Sequence, residues 1–143
     1  MITNSEITRL LGLTSNLPRL LKYGESALFY STWFVLELPE KMFDVNRKFW
    51  VDDPPEQLTQ WKEKYGQGEA SYGQPVSFKG PTDQVPLIKL ISDNGTALIE
   101  ASLYRLIVQE VDEPEFRVFP EAGLPVAVWS HGSLLGVIGQ VNI

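Results

Sequence analysis

His131 is the only histidine of the chain, and it lies between Ser130 and the pair Gly132-Ser133. A serine beside a histidine suggests nucleophilic catalysis, because an imidazole can accept the proton of an attacking hydroxyl. The sequence has no Gly-x-Ser-x-Gly motif of the kind that exposes such a nucleophile. Apolar stretches flank these residues on both sides, so we predict that His131 lies at an exposed β-hairpin turn. We predict no catalytic residue.

Two acidic clusters are the other groups that could carry out chemistry, and they consist of Asp52, Asp53 and Glu56, and of Asp112, Glu113 and Glu115. Paired carboxylates across a cleft can act as acid and base in a hydrolase, and carboxylate oxygens bind calcium. Helix capping and solvation explain the clusters more simply. Two alternatives stay open: a hydrolytic or carboxylate-based enzyme near residues 66–86 that uses Asp52, Asp53 or His131, and a calcium-binding protein.

The residue composition excludes several kinds of site. The chain has no cysteine and one histidine, which removes disulfides, thiolate zinc sites and iron–sulfur clusters. The glycine-rich stretch GQGEASYG lacks the strand–turn–helix context and the lysine–serine ending of a phosphate-binding loop. We therefore predict no cofactor, no metal site and a cytoplasmic location.

The charge balance bears on the class of partner. The chain has 18 acidic and 12 basic residues, a formal net charge of −6, and no run of basic residues. We predict no binding to nucleic acid, and no stretch reaches the roughly 18 apolar residues of a membrane span. The expected function is that of a small acidic, non-catalytic binding or accessory protein that associates with a protein partner or with a second copy of itself.

Large aromatic residues concentrate in the first half of the chain, which has three of the four tryptophans. They could fill the core, or some could form a surface patch, since tryptophan buries much area at protein interfaces. Trp50 and Trp61 flank the boundary Asp52-Asp53-Pro54-Pro55. We predict that these two rings converge in a partner-binding patch.

The elements that position these residues can be read in chain order. Residues 5–22 favour two short helices, the second with Pro18 in its first turn and Gly24 after its end. Residues 27–38 favour a strand, residues 55–65 a helix, and residues 66–86 a long loop rich in glycine and proline. Apolar runs on both sides of Asp93-Asn94-Gly95 predict a β-hairpin.

The C-terminal part of the sequence favours strands. Residues 97–111 fit a strand, our prediction, although Ile99, Leu103 and Leu106 also share one helical face. The short apolar runs after Glu115 have the spacing of antiparallel strands. We therefore predict one domain over residues 1–143, of the α+β class, with N-terminal helices, one central helix and a predominantly antiparallel sheet.

Overall fold

The computed structural model describes residues 1–10, 18–52, 60–65, 69–78 and 86–141 of the chain. The α-helices in these ranges are α1 (Asn4–Arg9), α2 (Trp61–Tyr65) and α3 (Ala101–Glu110). The strands are β1 (Ile2–Thr3), β2 (Arg19–Tyr23), β3 (Ser26–Tyr30), β4 (Phe34–Pro39), β5 (Phe43–Asp44), β6 (Trp50–Val51), β7 (Ser71–Tyr72), β8 (Gln74–Phe78), β9 (Leu87–Ser92), β10 (Gly95–Glu100), β11 (Pro114–Val118), β12 (Val126–Ser130) and β13 (Ser133–Ile138). Single turns of 3-10 helix lie at Glu40–Met42 and Arg47–Phe49.

Eight of these strands form one sheet, in the order β6-β2-β3-β4-β13-β12-β11-β7. Neighbouring strands are antiparallel except for the parallel pair of β6 and β2. The pair of β4 and β13 joins early and late parts of the chain, and it places Leu36 opposite Gly136. A Cβ atom at Gly136 would lie 2.0 Å from the carbonyl oxygen of Val35, so this contact requires glycine.

The two faces of the eight-stranded sheet bury different side chains, as the alternation of a strand requires. The larger core cluster contains Leu20, Phe29 and Leu36 on one face, together with buried residues of α1, β9 and α3. The smaller cluster contains Leu21, Leu28, Val35 and Val137 on the other face, and α2 covers it through Trp61. The sheet is therefore packed on both faces, with most of the core on the side of α1 and α3.

The predicted α+β class with N-terminal helices is wrong, because the protein is mostly β. Of residues 1–10 and 18–24, which the structure describes, only Asn4–Arg9 form an α-helix, and residues 19–22 of the second predicted helix belong to β2. Leu20 and Leu21 point to opposite faces of a sheet buried on both sides, so their adjacency does not indicate a helix. Gly24 lies in the turn between β2 and β3 with a φ of +64°, and does not end a helix.

The central aromatic segments also differ from the prediction. The single strand expected over residues 27–38 is a hairpin, β3 and β4, in which Tyr30 pairs with Val35. The helix expected over residues 55–65 is found as α2 from Trp61 to Tyr65. Its expected first part, residues 55–59, lies outside the described residues.

A second sheet contains three strands in the order β10-β9-β8. The predicted hairpin at Asp93-Asn94-Gly95 is confirmed as the β9–β10 turn, with Ser92 opposite Gly95. The strand predicted over residues 97–111 ends at Glu100, and α3 follows directly. Glu100 is only 5% exposed, and its carboxylate accepts hydrogen bonds from the Leu103 backbone and the Ser102 hydroxyl, so it caps the start of α3.

The two sheets are connected within the predicted 66–86 loop. In the described part of that segment, β7 pairs with β11 of the large sheet and β8 pairs with β9 of the small sheet. Gly73 lies between them, and its backbone N–H donates to the Phe116 carbonyl at 2.7 Å. A Cβ at Gly73 would lie 3.1 Å from Leu90 and 3.2 Å from Phe116, so the chain passes closely between both sheets here. Residues 66–68 and 79–85 lie outside the described residues.

Candidate functional site

His131 and Gly132 form a two-residue turn between β12 and β13, because Ser130 pairs with Ser133. Both turn residues have positive φ angles, +48° and +78°, as the type I′ turn of a tight hairpin requires. The His131 side chain is 58% exposed. The prediction that His131 lies at an exposed hairpin turn is confirmed.

Two carboxylates from the connection between α3 and β11 lie beside the His131 ring. Nε2 of His131 is 2.8 Å from Oδ2 of Asp112, and Nδ1 is 3.7 Å from Oε2 of Glu113. The hydrogen bond and the charge of Asp112 raise the pKa of His131 above its ordinary value. Because the pair lies in solvent, its contribution to the stability of the fold is small.

The groups around His131 do not form a catalytic triad. In a triad the serine hydroxyl donates to the imidazole, whereas the Ser130 hydroxyl donates to the backbone carbonyl of Asp112. The imidazole itself is hydrogen-bonded to the Asp112 carboxylate. Both contacts connect the β12–β13 turn to the segment before β11.

The acidic residues considered for hydrolysis or calcium binding are spread over the molecule. Asp52 follows β6 at one edge of the large sheet, and three strands separate β6 from β13 and the His131 turn. Asp53 and Glu56 lie outside the described residues. Among the residues that the structure describes, no group of three or more His, Asp or Glu side chains could hold a metal ion.

Trp50 and Trp61 lie on opposite faces of the large sheet and do not converge. Trp50 is half-buried and packs against the larger core cluster. Trp61 is only 6% exposed and belongs to the smaller cluster. Lys62 next to it bonds to Glu37 of β4, with Nζ 2.9 Å from Oε2, which fixes α2 on the sheet. The surface position predicted for Trp61 is therefore wrong.

Trp50 lines an open groove of about 970 Å³ at the end of the β2–β3 hairpin. Met1 and Pro39 supply further apolar surface, whereas Phe43 is almost fully buried. Four charged side chains also line the groove: Lys22, Glu25, Glu40 and Lys41. Lys22 Nζ lies 3.9 Å from Glu40 Oε2. The groove can hold an apolar side chain against Trp50. Its charged side chains can form ion pairs with opposite charges of a bound surface.

Sequence reasoning found Trp50 but missed the rest of this groove. Its residues come from Met1, the β2–β3 hairpin, the end of β4 with the following 3-10 turn, and strands β5 and β6. One local signal was present, because Gly24 within Tyr23-Gly24-Glu25-Ser26 suits a hairpin turn. Recognising that turn would have placed Lys22 and Glu25 at one end of a hairpin.

Comparison with known proteins gives no match: no family model, no curated protein and no solved structure is similar to this chain. In the described part of the chain, no helix is both long enough and apolar enough to cross a membrane.

Proposed function

We propose that the protein is a non-catalytic, cytoplasmic binding protein that acts through protein–protein association, with a second copy of the chain as the occupant of the Trp50 groove. The half-buried Trp50 on the wall of an open groove is the observation that carries this proposal. Tryptophan is enriched among the residues that dominate binding energy at interfaces. Part of the Trp50 ring is still exposed, so a partner can bury it.

The arrangement of polarity in the groove fits a protein partner. Protein interfaces have an apolar centre and a polar, solvent-accessible rim. Here Trp50, Met1 and Pro39 give the apolar surface, and charged side chains line the same groove. The open shape suits side chains of a protein surface better than an enclosed small molecule.

The charges around the groove favour a second copy as the occupant. A twofold dimer interface brings the same patch from both copies together, so the patch must be complementary to itself. Two lysines and two glutamates line this groove, and Lys22 forms an ion pair with Glu40 at 3.9 Å. A rim of both signs allows each copy to pair its lysines with the glutamates of the other.

The test is sedimentation velocity over a range of protein concentrations. We expect a reversible dimer, and we expect Trp50→Ala to raise its Kd about 30-fold, which corresponds to a loss of about 2 kcal/mol. Tyr72→Ala is the matched control, since Tyr72 is an exposed aromatic on β7 at the other edge of the sheet. A chain that stays monomeric throughout, or equal effects of the two substitutions, would overturn the proposal.

Two variants with reversed charges test the same surface without removing Trp50. One variant carries Lys22→Glu with Lys41→Glu, and the other carries Glu25→Lys with Glu40→Lys. Neither variant should dimerise well alone, because like charges then face each other across the twofold axis. Mixing them should restore a heterodimer. A mixture that remains monomeric while the wild type dimerises would place the interface elsewhere.

A further inference from the structure

A smaller cavity lies between α1 and α3, on the side of the molecule where these helices cover the core. Its volume is about 240 Å³. Buried Leu10 and Leu106 form its apolar part, and polar side chains at helical spacing line the rest: Glu6 and Arg9 from α1, and Ser102, Arg105 and Gln109 from α3. Two arginines from different helices thus line one small space.

The guanidinium groups of Arg9 and Arg105 have no carboxylate within ion-pair distance among the described residues. Acidic residues outnumber basic ones by 18 to 12 in this chain, so such partners are abundant. Five other described basic side chains pair with carboxylates or lie over aromatic rings: Lys22, Lys62 and Arg117 in ion pairs, and Lys48 and Lys64 over rings. Both arginines of the cavity are exposed, and with respect to the described residues their donors are free to bind an external group.

The other polar groups of the cavity have partners within the protein. Oε1 of Glu6 accepts from the backbone N–H and the hydroxyl of Thr3, at 3.3 and 3.2 Å. These bonds hold the Glu6 carboxylate at the start of α1. Glu6 and Arg9 are three residues apart on the helix, a spacing that allows an ion pair, but they do not form one. The Ser102 hydroxyl donates to the buried Glu100. The donors left in the cavity are therefore mainly those of the two guanidinium groups.

We propose that the cavity between α1 and α3 binds one oxyanion group, a carboxylate or a phosphate, through Arg9 and Arg105. A guanidinium presents parallel N–H donors that match two oxygens of such a group. A volume of about 240 Å³ admits a single group of this size but not a large ligand. The proposal is independent of the Trp50 groove, which lies at the end of the β2–β3 hairpin.

The experiment is an NMR titration of the full chain with inorganic phosphate and, separately, with acetate, at ionic strength held constant with chloride. We expect saturable shifts in the arginine side-chain N–H groups and in the backbone of α1 and α3. Arg9→Gln and Arg105→Gln should each weaken binding by about tenfold. Arg47→Gln is the matched control, because Arg47 is an exposed arginine in the 3-10 turn before β6. Tighter binding of phosphate assigns the site to phosphate, and binding of acetate at least as tight assigns it to carboxylates.

Glu6→Gln is a second variant that distinguishes this cavity from a diffuse charge effect. The substitution removes the acidic group of the cavity wall and keeps an oxygen that can accept from Thr3, so we expect tighter anion binding by several fold. Shifts that chloride reproduces, that do not saturate, or that Arg47→Gln reduces as much as Arg105→Gln would overturn the proposal. An unchanged affinity in Glu6→Gln would also contradict it.

Discussion

The imidazole of His131 is a titratable link between the β12–β13 turn and the start of β11. Asp112 raises its pKa in the folded protein above the ordinary value of 6.5, chiefly through their hydrogen bond. A raised folded-state pKa means that the contribution to stability is fully present below the unfolded-state pKa and is lost as the pH rises through the folded-state pKa. We expect that contribution to be small, since the ring is exposed.

This pH dependence can be measured by NMR titration of the His131 ring and by urea unfolding across the same pH range. Asp112→Asn should lower the pKa of His131 towards 6.5. The difference in unfolding free energy between wild type and Asp112→Asn should be larger when His131 is protonated than when it is neutral. A His131 pKa below 6.5 in the wild type would contradict the pairing seen in the structure.

The residues of the candidate sites differ in how well the sequence identifies them. The position of His131 follows from local chemistry, because polar residues and glycine between two apolar runs specify a hairpin turn. The Trp50 groove and the arginine cavity depend on residues that are far apart in the chain, such as Arg9 and Arg105. Their proximity is a result of tertiary packing, for which the sequence has no local signal.

Among the elements, β13 contains the most restricted backbone contact. Gly136→Ala would place a methyl group 2.0 Å from the Val35 carbonyl oxygen and 2.7 Å from Leu36. Because backbone atoms cannot move aside as a flexible side chain can, we expect a loss of about 3 kcal/mol or more in the free energy of unfolding. Urea denaturation of the purified variant measures this loss.

Gly132→Ala is the comparison for that experiment. Its surroundings are open, but its φ of +78° disfavours any side chain. We expect a smaller loss of about 1 kcal/mol, from backbone strain alone. If the two substitutions had equal effects, the close approach of β4 to β13 would not be the reason for glycine at position 136.

The elements that the sequence predicts well are those with strong local signals. The β9–β10 hairpin and the C-terminal strands have turn residues between apolar runs, and they were predicted correctly. The region of β2 was mistaken for a helix, because burial on both faces removes the alternation that identifies a strand. In residues 97–111 the helical spacing of Leu103 and Leu106 does reflect a helix, α3. The chain changes from strand to helix at Glu100, whose buried carboxylate caps α3, and a buried glutamate cap is not a usual sequence signal.

At the scale of the whole molecule, one short helix, α2, covers the second face of the large sheet among the elements that the structure describes. Trp61 contributes the main apolar side chain from α2 to the cluster on that face. Trp61→Ala should therefore lower the free energy of unfolding by about 3 kcal/mol, the usual cost of removing a large buried aromatic side chain. Urea denaturation monitored by circular dichroism measures this free energy.

Tyr72→Ala is the control, because Tyr72 is 60% exposed. It should change the free energy of unfolding by no more than about 0.5 kcal/mol. A similarly small loss for Trp61→Ala would show that α2 is not anchored by this ring.

The pairing of β4 with β13 sets the order in which the molecule can form during synthesis. Leu36 and Gly136 must meet before the large sheet is complete, so β13 must be synthesised first. Until that time, the hairpin of β3 and β4 presents an unpaired strand edge that can pair with other chains. Contacts so distant in sequence also slow folding. The edge of β4 therefore remains open to such pairing until β13 has been synthesised.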